Sequence, residues 1–339
     1  MLLKICKGGK TAFYGKITIM ISTLLILLAT ILLFLFSVSK FSSNIQKVAG
    51  EKLKKILTKA TLTPTRSTFV GFFVNAVVQS NTALTVTLVG LVNAGLVTFP
   101  GALGIVIGSN VGNTLTSQLV AFNVMAFAPI FIVIGFMMKR FKGPIHHYSG
   151  PVFYFGLLFL SLSYLQLLIA PYLSRPEVMN AIASVDSLYV SIMIGVIGAA
   201  IFQSSSAISV LAITLAAQGV FNFDQAFGIV VGSGIGTTVT ALIASFVMNT
   251  ASQRTAFAHL WFNVTSVMIT ILLFAPVKNI ILSLDTSLSQ SIANAHLLIS
   301  VITAIFLLII FKWYVKFIEW IIPSKGFFHK SRSILEGKI

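Results

Sequence analysis

Two clusters of amide and hydroxyl side chains interrupt long apolar stretches of this sequence. The first is Gln79, Ser80, Asn81, Thr82 and Thr85; the second is Gln203, Ser204, Ser205, Ser206 and Ser209. Uncharged polar groups are costly to bury unpaired, so each cluster must find partners or a ligand. If a helix breaks there, freed backbone N–H groups and hydroxyls converge and can hold an anion without a full positive charge. Opposite helix ends and carbonyl groups can hold Na+. A second feature follows each cluster: GIVIGSNVGNTLTS at 104–117 and GIVVGSGIGTTVTA at 228–241. Glycine at every fourth position (Gly104, Gly108, Gly112 and Gly228, Gly232, Gly236) permits close helix contact. Ser109, Asn110, Asn113, Thr114, Ser233, Thr237 and Thr238 add oxygens suited to a hard monovalent cation. The plainer alternative is a packing face whose hydroxyls bond back to their own helix.

The two regions align without a gap at an offset of 124 residues, and 16 of the 38 positions from Gln79 to Thr116 are identical to their counterparts. Paired, polar-interrupted apolar segments in two halves of a membrane chain point to a central binding site. Sequence leaves parallel and inverted arrangements open, and general transporter architecture favours inversion. No charged residue lies between Ser67 and Met138, and Asp224 is the one charge between Ser187 and Gln253. Proton pumps and cation carriers often place carboxylates or lysines inside the bundle. A site of amides, hydroxyls and helix ends instead fits an anion whose charge is offset by co-bound Na+; a neutral solute is also compatible. Asp224 reads as a helix-start residue. His259 and Asn263 share a helix face at i and i+4, and Asn294 and His296 begin another apolar run. Buried contacts between helices are the plain reading of these four, and a gating or site-lining role is the other.

The elements that must position these groups are membrane helices. Of 339 residues 57% are hydrophobic, mean hydropathy is +0.99, and 9% are charged, where a soluble domain carries about 25%. The expected fold is an all-α polytopic membrane protein with two homologous, inverted repeats and broken or re-entrant helices carrying the polar clusters. Residues 1–66 should hold a first transmembrane helix and an amphipathic basic segment, 67–140 the first repeat core, and 141–186 a linker with a transmembrane helix. Residues 187–253 should hold the second repeat core, 254–322 C-terminal transmembrane helices, and 323–339 a short basic tail. The apolar run at 17–38 is too long for a signal peptide, and 40–60 has the spacing of a helix lying at the bilayer interface. The net charge of +16 sits at the edges of apolar spans, which suits lipid headgroups and argues against a nucleic-acid partner. Trp313 and Trp320 read as interface anchors. His146 and His147 lie in a basic loop without metal-ligand spacing, and the lone Cys6 excludes an internal disulfide. With no P-loop, metal cluster, nucleophile triad or dinucleotide fingerprint, the chain does not read as an enzyme.

The paired segments VVQSNTALTVTLVGLVNAG and AIFQSSSAISVLAITLAAQG, each with its glycine/threonine stretch, resemble the two repeats of the sodium/phosphate cotransporter family, type II-like, in its bacterial branch. VAGEKLKKIL, GPVFYFGLLFLSLSYL, AFAHLWFNV and IANAHLL extend the likeness over roughly residues 25–310. The resemblance implies Na+-driven symport of inorganic phosphate across the bacterial cytoplasmic membrane, with Na+ as coupling ion and no other cofactor. The alternatives are a sodium- or proton-coupled carrier of another small anion or neutral solute, and a non-transporting membrane component of phosphate signalling. It implies phosphate contacts from Gln79, Ser80, Asn81, Thr82, Gln203, Ser204, Ser205 and Ser206. Na+ contacts would come from Gln79, Gln203 and the oxygens of the glycine-rich segments. Asn81 and Thr82 replace two serines of the family pattern, and Gly234 replaces an asparagine that Asn110 retains. Many bacterial members carry a C-terminal helical domain resembling a phosphate-signalling regulator. This chain ends without one, so any regulator is expected to act in trans.

Overall fold

The computed structural model describes residues 2–59, 63–121, 124–173, 175, 180 and 187–323. All of the regular structure among them is helical. Among the described residues five helices are long and apolar enough to cross a membrane, over Ile21–Val48, Pro144–Pro171, Phe223–Ser245, Thr250–Leu282 and Leu288–Ile309.

The chain forms two compact units. The first contains residues 1–41 and 125–179. Its helices are the first part of α1 (Leu2–Lys59), α5 (Ala128–Met138) and α6 (Pro144–Leu173). Glycine sets the α5–α6 spacing: a methyl on Gly156 would stand 2.7 Å from the Ala128 carbonyl oxygen, and one on Gly135 would overlap the Phe153 backbone. Phe131 meets Phe155 edge-on at 5.0 Å, and Phe155 meets Phe159 at 4.9 Å. His146 and His147 belong to the first turn of α6 rather than to a loop.

The second unit contains residues 42–124 and 180–339. It opens with the remainder of α1, which continues as helix through the segment with interfacial spacing. Leu53 and Leu57 there are buried with Val74, Val78, Leu84, Leu88 and Val106. There follow α2 (Pro64–Val78), α3 (Asn81–Asn93) and α4 (Phe99–Ala121), then α7 (Leu188–Phe202), α8 (Ser205–Ala217) and α9 (Phe223–Ser245). Each bound of the second trio lies 124 residues beyond its counterpart in the first. The unit is completed by α10 (Thr250–Leu282), α11 (Leu288–Ile309) and α12 (Phe311–Ile321).

The breaks between α2 and α3 and between α7 and α8 have the same local cause. Gln79 and Gln203 end their helices in the left-handed conformation, with φ of 54° and 53°, a strain of about 1 kcal/mol for a non-glycine residue. Ser80 and Ser204 then adopt extended backbone, and their hydroxyls cap the next helix by accepting from Ala83 N at 3.3 Å and Ala207 N at 3.2 Å. The halves, 15 and 13 residues long, measure roughly 22 and 20 Å. Neither spans a hydrocarbon core of about 30 Å alone.

The glycine stripes explain how α4 lies on α2 and α9 on α7. A methyl on Gly108 would overlap the Thr68 carbonyl oxygen, and one on Gly232 the Ile192 carbonyl oxygen. Gly112 faces Phe72 O, and Gly236 faces Val196 O in the same way. The partner helices repeat as well: Gly71 meets the Ile105 carbonyl and Gly195 the Ile229 carbonyl, while Ser67 and Ser191 back Gly104 and Gly228. These four partner positions also lie 124 residues apart in pairs, so the correspondence extends upstream of Gln79.

Asp224 sits in the first turn of α9, but the helix is capped by Asn222 and Gln225, which form a reciprocal capping box. Asp224 instead pairs with Lys278 of α10 at 2.6 Å. At the other end of α10, Arg254 holds Ile322 O at 2.9 Å and Glu319 at 3.3 Å. Trp313 and Trp320 are both exposed on α12.

Candidate functional site

Between the two helix breaks lies a polar cluster with no charged residue in it. Asn81, the first residue of α3, donates to Asn110 Oδ1 at 2.8 Å and approaches His259 Nε2 at 3.0 Å. Its Oδ1 accepts from the Ser109 hydroxyl at 2.9 Å. One side chain at the first break therefore ties together α3, α4 and α10, and all four residues are buried. From the other direction, Ser206 donates to Asn113 Oδ1 at 3.1 Å, and Asn113 Nδ2 donates to Ser205 Oγ at 3.4 Å. Asn113 on α4 thus reads the start of α8. Ser209 and Ser233 lie 3.3 Å apart behind them.

These groups surround a polar cavity of about 20 Å³ whose lining includes Asn110, Asn113, Ser205, Ser233, Asn263 and Ser266. A water-sized guest fits such a space. His296 and Ser300 of α11 close another side, and His296 Nδ1 lies 3.2 Å from the Ser117 hydroxyl. Beyond Ser117 a chain of amides continues toward the start of α11: Gln118 donates to Asn294 at 3.1 Å, and Gln290 donates to Gln118 at 2.7 Å. Gln118, Gln290 and Ser266 carried no signal in sequence beyond their polarity.

The structure separates the remaining candidates into groups. Ser80 and Ser204 spend their hydroxyl acceptors on helix caps. Thr82 is half-buried beside its cluster without joining the Asn81 network. Thr114, Thr237 and Thr238 are buried and donate to their own helix, to Val111 O at 2.8 Å, Gly234 O at 3.0 Å and Ile235 O at 2.7 Å. That leaves their oxygens only acceptor capacity for a guest. Gln79 accepts from Thr116 at 2.6 Å. Gln203, its counterpart, is exposed and makes no side-chain hydrogen bond among the described residues. No group of three or more His, Cys, Asp or Glu side chains that could hold a metal ion occurs among the described residues.

Charge-free oxygens, the starts of two helices and a small polar cavity thus meet in one cluster. The sequence profile of the Na+/Pi-cotransporter family matches residues 33–167 and 177–309, well over half of the chain. The chain belongs to the Na+/Pi-cotransporter family. Family membership makes it a transport protein rather than an enzyme. It is similar to YqeW of Bacillus subtilis, an uncharacterized protein, with 27% identity over 82% of this chain and 91% of the relative. It is also similar to YjbB of Salmonella typhimurium and of Escherichia coli, both provisionally named inorganic phosphate export proteins, at 26% and 27% identity. Those alignments cover 75% and 67% of this chain but 47% and 42% of the relatives, so the chain spans less than half the length of YjbB. No solved structure matches the chain. Multiple apolar spans and bacterial relatives make it a multi-pass protein of the bacterial inner membrane.

Proposed function

We propose that this protein carries inorganic phosphate across the membrane coupled to Na+, by alternating access between two inverted repeats formed by α2–α4 and α7–α9. The observation that carries the reading is the convergence of both helix breaks on one buried polar cluster without a charged side chain. At the starts of α3 and α8 the first backbone N–H groups have no intrahelical acceptor, apart from those taken by the Ser80 and Ser204 caps. Two such ends attract an anion through hydrogen bonds and helix dipoles. Phosphate takes the side chains of Gln79–Thr82 and Gln203–Ser206 together with these N–H groups. Na+ takes the carbonyl-type and hydroxyl oxygens of α4 and α9, from Ser109, Asn110, Asn113 and Thr114 and from Ser233, Thr237 and Thr238. The cations offset the anion's charge, which lets a charge-free protein site desolvate a multivalent ion. The α2–α4 and α7–α9 pairs are locked by glycine contacts, so each pair moves as a body while the short α3 and α8 adjust. Net direction follows the sum of the Na+ and phosphate gradients, and the export named for the YjbB relatives is compatible with the same site.

The test is flux of radiolabelled phosphate in proteoliposomes holding purified protein, with a Na+ gradient and with Na+ replaced by K+. The reading expects movement that follows the Na+ gradient, reverses when the gradient is reversed, and disappears in K+. Absence of phosphate flux in folded, inserted protein overturns it.

A further inference from the structure

At the 124-residue offset Asn110 corresponds to Gly234, so the second trio of helices lacks an amide that the first has. The structure fills that space from elsewhere. A methyl built on Gly234 would overlap Oδ1 of Asn263 and lie 3.0 Å from its Cγ. Asn263 belongs to α10, outside both trios, yet its amide stands where a side chain at 234 would start.

The two asparagines are held alike. Asn110 Nδ2 donates to Val106 O at 2.9 Å, four residues back on its own helix, and Asn263 Nδ2 donates to His259 O at 2.9 Å, also four residues back. In each case the NH2 group is tied to the helix and Oδ1 is turned outward. Asn110 Oδ1 accepts from Asn81. Asn263 Oδ1 accepts no hydrogen bond among the described residues, although the residue is only 6% exposed. The hydroxyls of Ser266 and Ser300, 8% and 4% exposed, likewise make no hydrogen bond there. All three residues line the same small cavity. The three oxygens are accessible rather than sealed, and their residues share one cavity lining, so a guest there meets three neutral acceptors.

We propose that Asn263 is a ligand of the coupling cation, supplying from α10 the amide oxygen that Gly234 lacks, with Ser266 and Ser300 beside it. The donor set is neutral and oxygen-only, which suits a monovalent ion such as Na+; divalent ions of that size draw carboxylates. The proposal rests on the Na+-coupled reading above and adds a residue to it.

The experiment reads Na+ binding without phosphate, as the rise in thermal unfolding temperature of purified protein in detergent when choline is replaced by Na+. Wild type should show a saturable rise. Asn263→Ala should raise the half-saturating Na+ concentration about tenfold or more, as expected for losing one oxygen contact to an ion, and Ser266→Ala should shift it in the same direction. The exchange variant Gly234→Asn with Asn263→Gly returns the amide to α9 and should restore most of the affinity. Gly234→Asn alone puts two amides in one space and should lose the Na+ response. If Asn263→Ala fails to fold, Ser266→Ala and the exchange variant still decide the matter. An unchanged half-saturation in folded Asn263→Ala, or no Na+ response in wild type, overturns the proposal. A Na+ response with the expected variant shifts but no phosphate flux would leave this site standing and remove phosphate as the substrate.

Discussion

The helix break at Gln79 and the break at Gln203 share their backbone and differ in what their side chains hold. Both glutamines are left-handed, both following serines cap the next helix, and the flanking helices have equal lengths. At the first break Gln79 is bonded to Thr116 and Asn81 is tied to three neighbours. At the second, Gln203 is exposed, its Thr240 counterpart makes no side-chain bond among the described residues, and Ser205 and Ser206 reach one residue, Asn113. Under the alternating-access mechanism proposed above, equal backbones with unequal side-chain closure are expected in any one state, one half being closed while the other is open. The comparison teaches that the local turn is fixed by short-range chemistry, whereas closure is fixed by packing that can change.

The largest effects should come where the regions are alike. Gly108→Val and Gly232→Val each force a side chain into a backbone carbonyl across the helix pair. Both should destabilise by about 3 kcal/mol or more, seen as loss of the monodisperse peak in size-exclusion chromatography. Gly90→Ala, with open space around it, should behave as wild type. If one stripe tolerates valine, the equivalence of the pairs is broken.

Intermediate effects should separate the regions. Asn81→Ala leaves Asn110 Oδ1 and His259 Nε2 without their partner, while Ser109 keeps Val106 O, and should cost about 2–3 kcal/mol, read as a drop in thermal midpoint. Ser205→Ala removes one long contact and should cost about 1 kcal/mol or less. A reversed ranking would mean that the first break is not the tightly closed one. The smallest effects test the glutamines. Gln79→Ala should cost about 1 kcal/mol, and Gln203→Ala should fall within about 0.5 kcal/mol of wild type. In a Cys6→Ser background, a cysteine at 203 should react with a membrane-impermeant thiol reagent, and one at 79 should be protected.

Much of this was legible in sequence because it is local. The apolar spans, the QS clusters, the glycine stripes and the 124-residue offset are short-range patterns, and the helix bounds follow them. Ser67 with Ser191 and Gly71 with Gly195 continue the same offset upstream and are equally legible. What sequence could not supply is long-range. The residue pairs Gln79 with Thr116 and Gln203 with Thr240 are identical in type, so nothing in their identity distinguishes a bonded pair from an exposed one. The meeting of Gly234 with Asn263 joins two helices whose spacing is set by packing, and a lone asparagine in an apolar helix reads first as a helix–helix contact. At the start of α9 Asp224 stands in the first turn, as its position in FDQAFG suggests, while the cap itself is built by Asn222 and Gln225.

The central claim is that one binding site is assembled from both breaks. Its most direct test is equilibrium binding of radiolabelled phosphate to purified protein at saturating Na+, in wild type, Asn81→Ala and Ser206→Ala. The account predicts that each folded variant binds phosphate about tenfold more weakly or worse, the loss expected for one hydrogen bond to a charged ligand. Wild-type affinity in either folded variant would contradict it, leaving a site built from a single break.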